Sequence, residues 1–360
     1  MGELLARTLL REAADPGQGP DEFDTPLVDV YMRRSADPEL GFELRPGADA
    51  TWRHTRVRIH ASECRRIALE ERHESSALRL AVIGDSTAFG WGVEYAESYP
   101  ELVRRALEEH TARPVELLNF ATPGFNCRQN RRTYELRARA ARPELLIVHY
   151  DPNDSAPNAG PAAGPALGDD LFGSALLGLL RRRWSGRELL ESSASPLQAN
   201  PMILGFRYAG PEYEEALSEL AELGRRARAD GMTPLLMVFN AGLVREDPLA
   251  GVWPSDPHEL ERLQRADPRA FARRARSLGF RTLLHEPVAA RARAAGFEVV
   301  DIYAPAQARM SERDWQSLRP LWLSKSDNHP NAEGHRFLAE LVSQAFISRP
   351  AYAELLGRAR

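Results

Sequence analysis

Four short polar blocks in this sequence combine residue types that together could carry out acyl chemistry. The Gly-Asp-Ser block (84–86) offers a hydroxyl as a nucleophile, and the Thr-Pro-Gly block (122–124) offers a backbone N–H that no side chain would screen. The Asp-Pro-Asn-Asp block (151–154) adds a side-chain amide. The Asp-Asn-His-Pro-Asn block (327–331) adds an imidazole with a carboxylate beside it. Serine ester chemistry is therefore the leading hypothesis, because it needs an activated hydroxyl and donors for an oxyanion.

The elements that must position these blocks are five apolar runs, which predict strands. The runs are Leu78 to Ile83, Val115 to Phe120, Leu145 to Tyr150, Pro234 to Phe239 and Phe297 to Tyr303. They are nearly continuous in hydrophobicity, as is typical of strands buried on both faces of a parallel sheet. Helical patterns separate them, so the predicted fold is a doubly wound α/β sheet. The first three blocks directly follow the first three runs.

Helix signals lie between the strands. Ser98 and Glu101 match a capping box at the start of an amphipathic helix between the first two runs. Residues 212–230 predict a second helix, with Gly231 as its C-terminal stop.

Three of the candidate site residues follow predicted strands, where ordinary structural roles compete with function. Ser86 supplies the candidate nucleophile, although Asp and Ser are also common helix caps. Gly124 supplies a candidate oxyanion N–H within a Pro-Gly turn of a common kind. Asn153 supplies a candidate side-chain donor to the same oxyanion, although asparagine is frequent in turns.

The candidate base is a histidine near the C-terminus. His329 precedes a predicted helix that Asn331 would cap, so its neighbours hold it while its ring stays free to face a cleft. Asp327 could accept a hydrogen bond from one ring nitrogen and leave the other to act as the base. His149 in a strand and His335 in a helix are interpreted as structural.

Composition narrows the class of protein. The 360 residues are 43% apolar and 27% charged, and 47 basic against 51 acidic residues give a net charge of −4. A chain with this charge balance has no overall positive electrostatic field that would indicate binding to nucleic acid. Cys64 and Cys127 form neither a disulfide framework nor a metal-ligand spacing. No signal peptide or membrane-spanning run is recognised, so a cytoplasmic location is expected.

The four blocks resemble those of the SGNH hydrolase superfamily, the GDSL-type esterases and lipases. Ser86 matches the first block of that family, in Gly-Asp-Ser-Thr rather than the commoner Gly-Asp-Ser-Leu. Gly124 matches the second block, Asn153 the third, and His329 in its His-Pro-Asn context the fourth. The resemblance covers roughly residues 78–346. It implies a flavodoxin-like five-stranded parallel sheet with helices on both faces.

Two positions depart from the pattern of the family. Asp151 stands where the third block usually has glycine, and Ser326 stands where the family's acid is often found. Asp327, two residues before the histidine, is therefore assigned the orienting role. The resemblance implies Ser86 as nucleophile and His329 as base, with no metal or organic cofactor. It also implies an oxyanion hole formed by Ser86, Gly124 and Asn153.

The predicted organisation is one catalytic domain with additions. Residues 1–76 are an N-terminal extension packing on the core, and 77–348 are the SGNH hydrolase-like domain. Lid-like insertions are expected at 155–211 and 240–296, and a C-terminal tail at 349–360.

The predicted function is hydrolysis of an acyl or acetyl ester of a small molecule or glycan. Two alternatives stay open: acyl transfer to a sugar or natural-product hydroxyl, and a non-catalytic binding protein of the same fold. Neither nucleic acid nor a membrane span is expected to be involved. The substrate and the oligomeric state are not predicted.

Overall fold

The computed structural model describes residues 31–52, 55–65, 77–155, 210–238, 262, 265–266, 286–309 and 329–357. The strands are β1 (Met32–Arg34), β2 (Phe42–Leu44), β3 (Asp49–Trp52), β4 (Thr55–Arg58), β5 (Leu78–Ile83), β6 (Val115–Asn119), β7 (Leu145–Tyr150), β8 (Leu235–Val238) and β9 (Glu298–Asp301). The α-helices are α1 (Ser86–Phe89), α2 (Tyr99–Thr111), α3 (Cys127–Thr133), α4 (Pro211–Ala229), α5 (Glu286–Ala294), α6 (Tyr303–Arg309), α7 (Ala332–Ser348) and α8 (Pro350–Gly357).

The centre of the fold is a five-stranded parallel sheet in the order β6-β5-β7-β8-β9. The first strand of this sheet is flanked by the second on one side and the third on the other, which is the flavodoxin-like order. The predicted fold class is therefore confirmed. The chain changes direction around β5, and the carboxyl ends of β5, β6 and β7 meet there.

Both faces of the sheet are buried, which explains the unbroken apolar runs. Leu80 and Val82 of β5 belong to a core cluster shared with α2 and α7. Ala81 and Ile83 alternate with them and belong to a second cluster, shared with α3, α4 and α5. Side chains alternate across a strand, so a strand covered by helices on both faces needs an apolar residue at every position.

The predicted capping box at the start of α2 is wrong, although the helix is present. The Ser98 hydroxyl donates to the Tyr95 carbonyl at 2.7 Å instead of capping the helix. Glu101 turns toward two arginines of the following turn. A reciprocal capping box instead starts α3, where Asn126 and Gln129 bond to each other's backbone N–H groups.

The structure describes only parts of the predicted additions to the catalytic domain. The predicted insertion at 155–211 lies almost wholly outside the described residues. The bounds of the predicted insertion at 240–296 stay a prediction; its last part contains α5, which packs against α4, β8 and β9. The predicted tail at 349–360 contains α8. The ring of Tyr352 in this helix packs edge-on against that of Phe346, with ring centroids 4.8 Å apart.

Residues 31–65 form two antiparallel hairpins, β1–β2 and β3–β4, outside the parallel sheet. Tyr31, Leu44 and Ile59 join the core cluster on the α2 side of the sheet. The Arg65 N–H donates to the Asn119 carbonyl at 2.9 Å, which links this segment to the end of β6.

Ion pairs add to these apolar contacts. Arg132 pairs with Asp37 at 2.7 Å, and Arg137 pairs with Glu43 at the same distance. The boundaries of a separate N-terminal extension stay a prediction.

A fully buried arginine holds the chain that follows α1. Arg65 Nη1 donates to the carbonyls of Phe89 and Gly90, each at 2.7 Å, and Nη2 donates to Val93 at 3.2 Å. Its guanidinium lies 4.6 Å from the centre of the Phe89 ring and 5.5 Å from that of Tyr95. Burial lowers the pKa of Arg65 to about 10, so the group stays cationic at neutral pH.

We expect Arg65→Met to lower the free energy of unfolding by about 3 kcal/mol. Three buried carbonyls would lose charged donors, and this loss exceeds what is regained by no longer burying the guanidinium. Urea denaturation measures the change. Arg105→Met is the matched control, since that side chain is 48% exposed and its ion pair is worth less than about 1 kcal/mol. Equal stability of the two variants would contradict the role of Arg65.

Candidate active site

The candidate nucleophile begins the short helix α1, directly after β5. Ser86 is its first residue, and the Asp85 side chain caps it by accepting from the Thr87 N–H at 3.1 Å. Ser86 is only 9% exposed. The competing capping interpretation therefore applies to Asp85, and the Ser86 hydroxyl does not cap the helix but lies within 3.3 Å of Asp85 Oδ2.

Close packing at Gly84 fixes this turn against the neighbouring strand. A Cβ atom at residue 84 would lie 2.7 Å from Cβ of His149 and 2.9 Å from Cβ of Ala88, which no side chain can tolerate. The Gly84 carbonyl also accepts from the Thr122 N–H at 2.9 Å. The first block is thus in contact with both β7 and the chain after β6.

Ser86 and His329 are brought together from positions 243 residues apart. His329 Nε2 lies 2.8 Å from Ser86 Oγ, a distance suited to proton transfer. Asn331 holds the histidine segment by capping α7, since its side chain accepts from the Gly334 N–H at 2.9 Å. For Nε2 to accept a hydrogen bond from the Ser86 hydroxyl, the single proton of the neutral imidazole must lie on Nδ1. Asp327, predicted to orient that proton, lies outside the described residues.

Asn153 lies in a short 3-10 turn after β7. Its Nδ2 donates to Asp85 Oδ2 at 2.8 Å, which engages one of the two N–H groups of the amide. Asp154 closes this turn by accepting from the Asp151 N–H at 2.7 Å and from Asn130 at 3.1 Å. The turn therefore closes with aspartate in place of the family's glycine at 151.

Gly124 is an exposed residue in a turn after β6 whose neighbours Thr122 and Phe125 are buried. Its φ of 82° is in the left-handed region that favours glycine. The turn starts at Thr122, whose contact with Gly84 places the second block beside the first.

Buried charged and titratable groups lie beneath the turn that carries Ser86. The Asp85 carboxylate is buried, and burial together with the nearby charge of Asp151 raises its pKa. His149 Nε2 is 4.0 Å from a carboxylate oxygen of each of these aspartates. Burial lowers the pKa of His149 to about 4, so its imidazole is neutral at neutral pH.

Asp85, His149 and Asp151 are also the described residues that come nearest to a metal-ligand set. One ligand atom from each lies within 4.8 Å of the others. Tetrahedral zinc ligands at their usual bond lengths are about 3.4 Å apart, closer than the 4.0 Å that separates the imidazole from either carboxylate. We therefore describe the cluster as a buried polar group.

The Tyr99 ring lies close to both His149 and a second buried histidine, His335. The Tyr99 ring is 5.9 Å from that of His149 and 6.1 Å from that of His335. His335 Nδ1 accepts from the Tyr99 N–H at 3.2 Å, and burial lowers the pKa of His335 to about 3. Both histidines lie in the protein interior, and neither has a hydrogen bond to Ser86 comparable to that of His329.

Two contacts at this site are not predictable from the sequence blocks alone. Asp85 was part of a recognised block, but its bond to Asn153 could be inferred only once β5 and β7 were known to be neighbours. Trp91 stacks on His329 with ring centroids 5.2 Å apart. The one sequence signal for Trp91 is its closeness to Ser86 along the chain.

A parallel sheet with a serine–histidine pair at its carboxyl edge defines a serine hydrolase-like α/β protein. The sequence profile of the GDSL-like lipase/acylhydrolase family matches residues 82–337. The chain therefore belongs to this family, which confirms the predicted resemblance and the prediction of an SGNH-type esterase.

Several solved structures are similar to this chain. They include the lipase Lip_vut3 from a goat rumen metagenome, at 14% identity and TM-score 0.40 over 75% of this chain and 97% of that one. A GDSL-like lipase from Bacteroides thetaiotaomicron has 15% identity and TM-score 0.38 over 74% of this chain and 87% of that one. A variant of the acetyl xylan esterase Axe2 from Geobacillus stearothermophilus has 14% identity and TM-score 0.38 over 75% of this chain and 94% of that one.

No curated protein matches the sequence. Among the helices of the described residues, none is long and apolar enough to cross a membrane.

We expect His335→Gln to flatten the dependence of stability on pH. The folded pKa of about 3 lies below the ordinary 6.5, so the unfolded chain binds the extra proton first. The contribution of His335 is therefore complete above about pH 6.5 and is lost as the pH falls toward 3. Asp85 and Asp154, whose pKa values are raised by burial, act in the opposite direction but are shared by both proteins.

Urea denaturation at pH 4, 5 and 6 measures this effect. The slope of unfolding free energy against pH should fall by about 1.4 kcal/mol per pH unit in the variant. His110→Gln is the control, because His110 is exposed at the end of α2. An unchanged slope in His335→Gln would show that this histidine is not buried in its neutral form.

Proposed function

We propose that this protein hydrolyses a carboxylic ester through an acyl-enzyme on Ser86. The observation that carries the proposal is the 2.8 Å contact between Ser86 Oγ and His329 Nε2 at the carboxyl edge of the sheet. The hydroxyl is buried enough to be held in place, and His329 is half-buried. Nucleophile and base are therefore within proton-transfer distance of each other.

In the proposed reaction, Ser86 Oγ forms a bond to the acyl carbon while its proton passes to His329 Nε2. The carbonyl π electrons move onto oxygen and form a tetrahedral oxyanion. Collapse of this intermediate breaks the bond to the alcohol, which takes the proton from Nε2 as it leaves. Water then attacks the acyl carbon of the acyl-enzyme and gives a proton to His329 Nε2. Collapse of this second intermediate breaks the bond to Ser86 Oγ, which takes the proton back from Nε2, and the carboxylic acid is released. Asp327 is proposed to accept from Nδ1 and stabilise the imidazolium.

The proposed oxyanion hole has three donors. They are the backbone N–H groups of Ser86 and Gly124 and the second N–H of the Asn153 amide. The bond from Asn153 to the buried Asp85 carboxylate supports this assignment, because it fixes the plane of the amide before substrate arrives. Donors oriented in advance stabilise the developing charge without reorganising during the reaction.

We expect Ser86→Ala to abolish ester hydrolysis, since no other described hydroxyl bonds to His329 in the manner of Ser86. Release of p-nitrophenol from p-nitrophenyl acetate measures the rate, and thermal unfolding checks the fold. Ser348→Ala is the matched control, because its hydroxyl only bonds the Gln344 carbonyl on the exposed face of α7. Equal rates for Ser86→Ala and the parent would exclude Ser86 as the nucleophile.

Asn153→Ala should lower kcat by about 10²- to 10³-fold, the usual effect of removing one oxyanion donor. Its KM should change little, because the donor acts on charge that develops in the transition state. Asn126→Ala is the comparison, since Asn126 caps α3 and is not assigned to the oxyanion hole. A parallel loss of kcat in both variants would remove Asn153 from the proposed hole.

A further inference from the structure

The imidazole of His329 lies against an aromatic face on the turn that follows the nucleophile helix. The rings of Trp91 and His329 are stacked, with centroids 5.2 Å apart and planes inclined by 24°. In this arrangement the ring edge that carries Nε2 still reaches Ser86 Oγ at 2.8 Å. The same imidazole therefore has one edge on the nucleophile and one face on the indole.

Trp91 is held in a fixed relation to Ser86 itself. Its backbone N–H donates to the Ser86 carbonyl at 3.0 Å, and the neighbouring Gly90 N–H donates to the same oxygen at 3.1 Å. The indole is half-buried and packs against the core cluster on the α2 side of the sheet. Nucleophile and aromatic face therefore belong to one hydrogen-bonded turn.

The buried arginine described above braces this turn on both sides of the indole. Arg65 holds the carbonyls of Phe89 and Gly90 before Trp91 and the carbonyl of Val93 after it. Charge-assisted hydrogen bonds from a fully buried guanidinium restrict backbone motion more than single neutral bonds do. The position of the indole is thus fixed independently of the histidine that it contacts.

We propose that Trp91 is the positioning residue for His329, a role that rests on the proposed function of this site. Stacking restricts rotation of the imidazole about its side-chain bonds and keeps Nε2 directed at Ser86. When the serine proton is transferred, the ring becomes an imidazolium, and the electron-rich indole face stabilises that cation. Because this charge appears only as the reaction proceeds, the contact lowers the barrier more than it strengthens substrate binding.

Three substitutions test the proposal by separating an aromatic face from simple filling of space. Trp91→Leu and Trp91→Met keep an apolar side chain without a π face, whereas Trp91→Phe keeps the face. For the first two we expect kcat on p-nitrophenyl acetate to fall about 10- to 30-fold with KM within about twofold. Trp91→Phe should stay within about threefold of the parent. Two non-aromatic variants are used so that a folding failure of one leaves the other.

A control in the same turn distinguishes positioning from packing. Val93 is buried in the core, so Val93→Ala removes packing contacts from this turn. The substitution leaves both stacked rings in place. It should lower the thermal unfolding midpoint without changing kcat by more than about twofold. The rate of Ser86 labelling by a fluorophosphonate should follow kcat across the series, because labelling also needs the base.

Several outcomes would overturn the inference. Equal losses in Trp91→Phe and Trp91→Leu, or full activity in Trp91→Leu, would exclude an aromatic positioning role. A rise in KM with unchanged kcat would make Trp91 a substrate contact instead. Ser86→Ala and the parent are measured alongside: if the parent shows no activity that depends on Ser86, the proposed function fails. If the parent is active and only the Trp91 expectations fail, the inference alone is wrong.

Discussion

The close approach of β5 to β7 at Gly84 is the constraint on which the site depends. Residue 84 has no room for a Cβ atom because Cβ of His149 would lie 2.7 Å from it. The carbonyl of Gly84 also receives the Thr122 N–H. Gly84 thus packs the start of the Ser86 turn against β7 and holds it by a hydrogen bond to the chain after β6.

Buried charge is the second recurring feature of this molecule. Asp85 is kept inside the protein because it caps α1 and accepts from Asn153. Arg65 is kept inside because three carbonyls of the turn after α1 need its donors. Buried ionic groups are poor sources of net stability, but they are effective at holding a single geometry when every partner is present. In this chain both groups hold the same short stretch, which carries the nucleophile and the aromatic neighbour of the base.

Much of this arrangement could be predicted from local sequence. The apolar runs defined the five strands to within one or two residues, because strands buried on both faces leave a continuous pattern. Ser86 and His329 could be assigned to one site because they match the first and fourth blocks of the family. Trp91 and Arg65 could not be assigned in this way, since their contacts join segments distant in sequence, and arginine is usually exposed. The same reason explains the wrong capping box at Ser98, whose hydroxyl found a nearer partner in the Tyr95 carbonyl.

The proposed chemistry requires that Ser86 is a nucleophile activated by His329. Peptide mass spectrometry after treatment with a fluorophosphonate tests it most directly, on the parent and on His329→Gln, with His110→Gln as the control. We expect one stoichiometric adduct on Ser86 in the parent and in His110→Gln, and labelling slowed by at least about 10²-fold in His329→Gln. An adduct on another residue, or equal labelling of Ser86 in all three proteins, would contradict it.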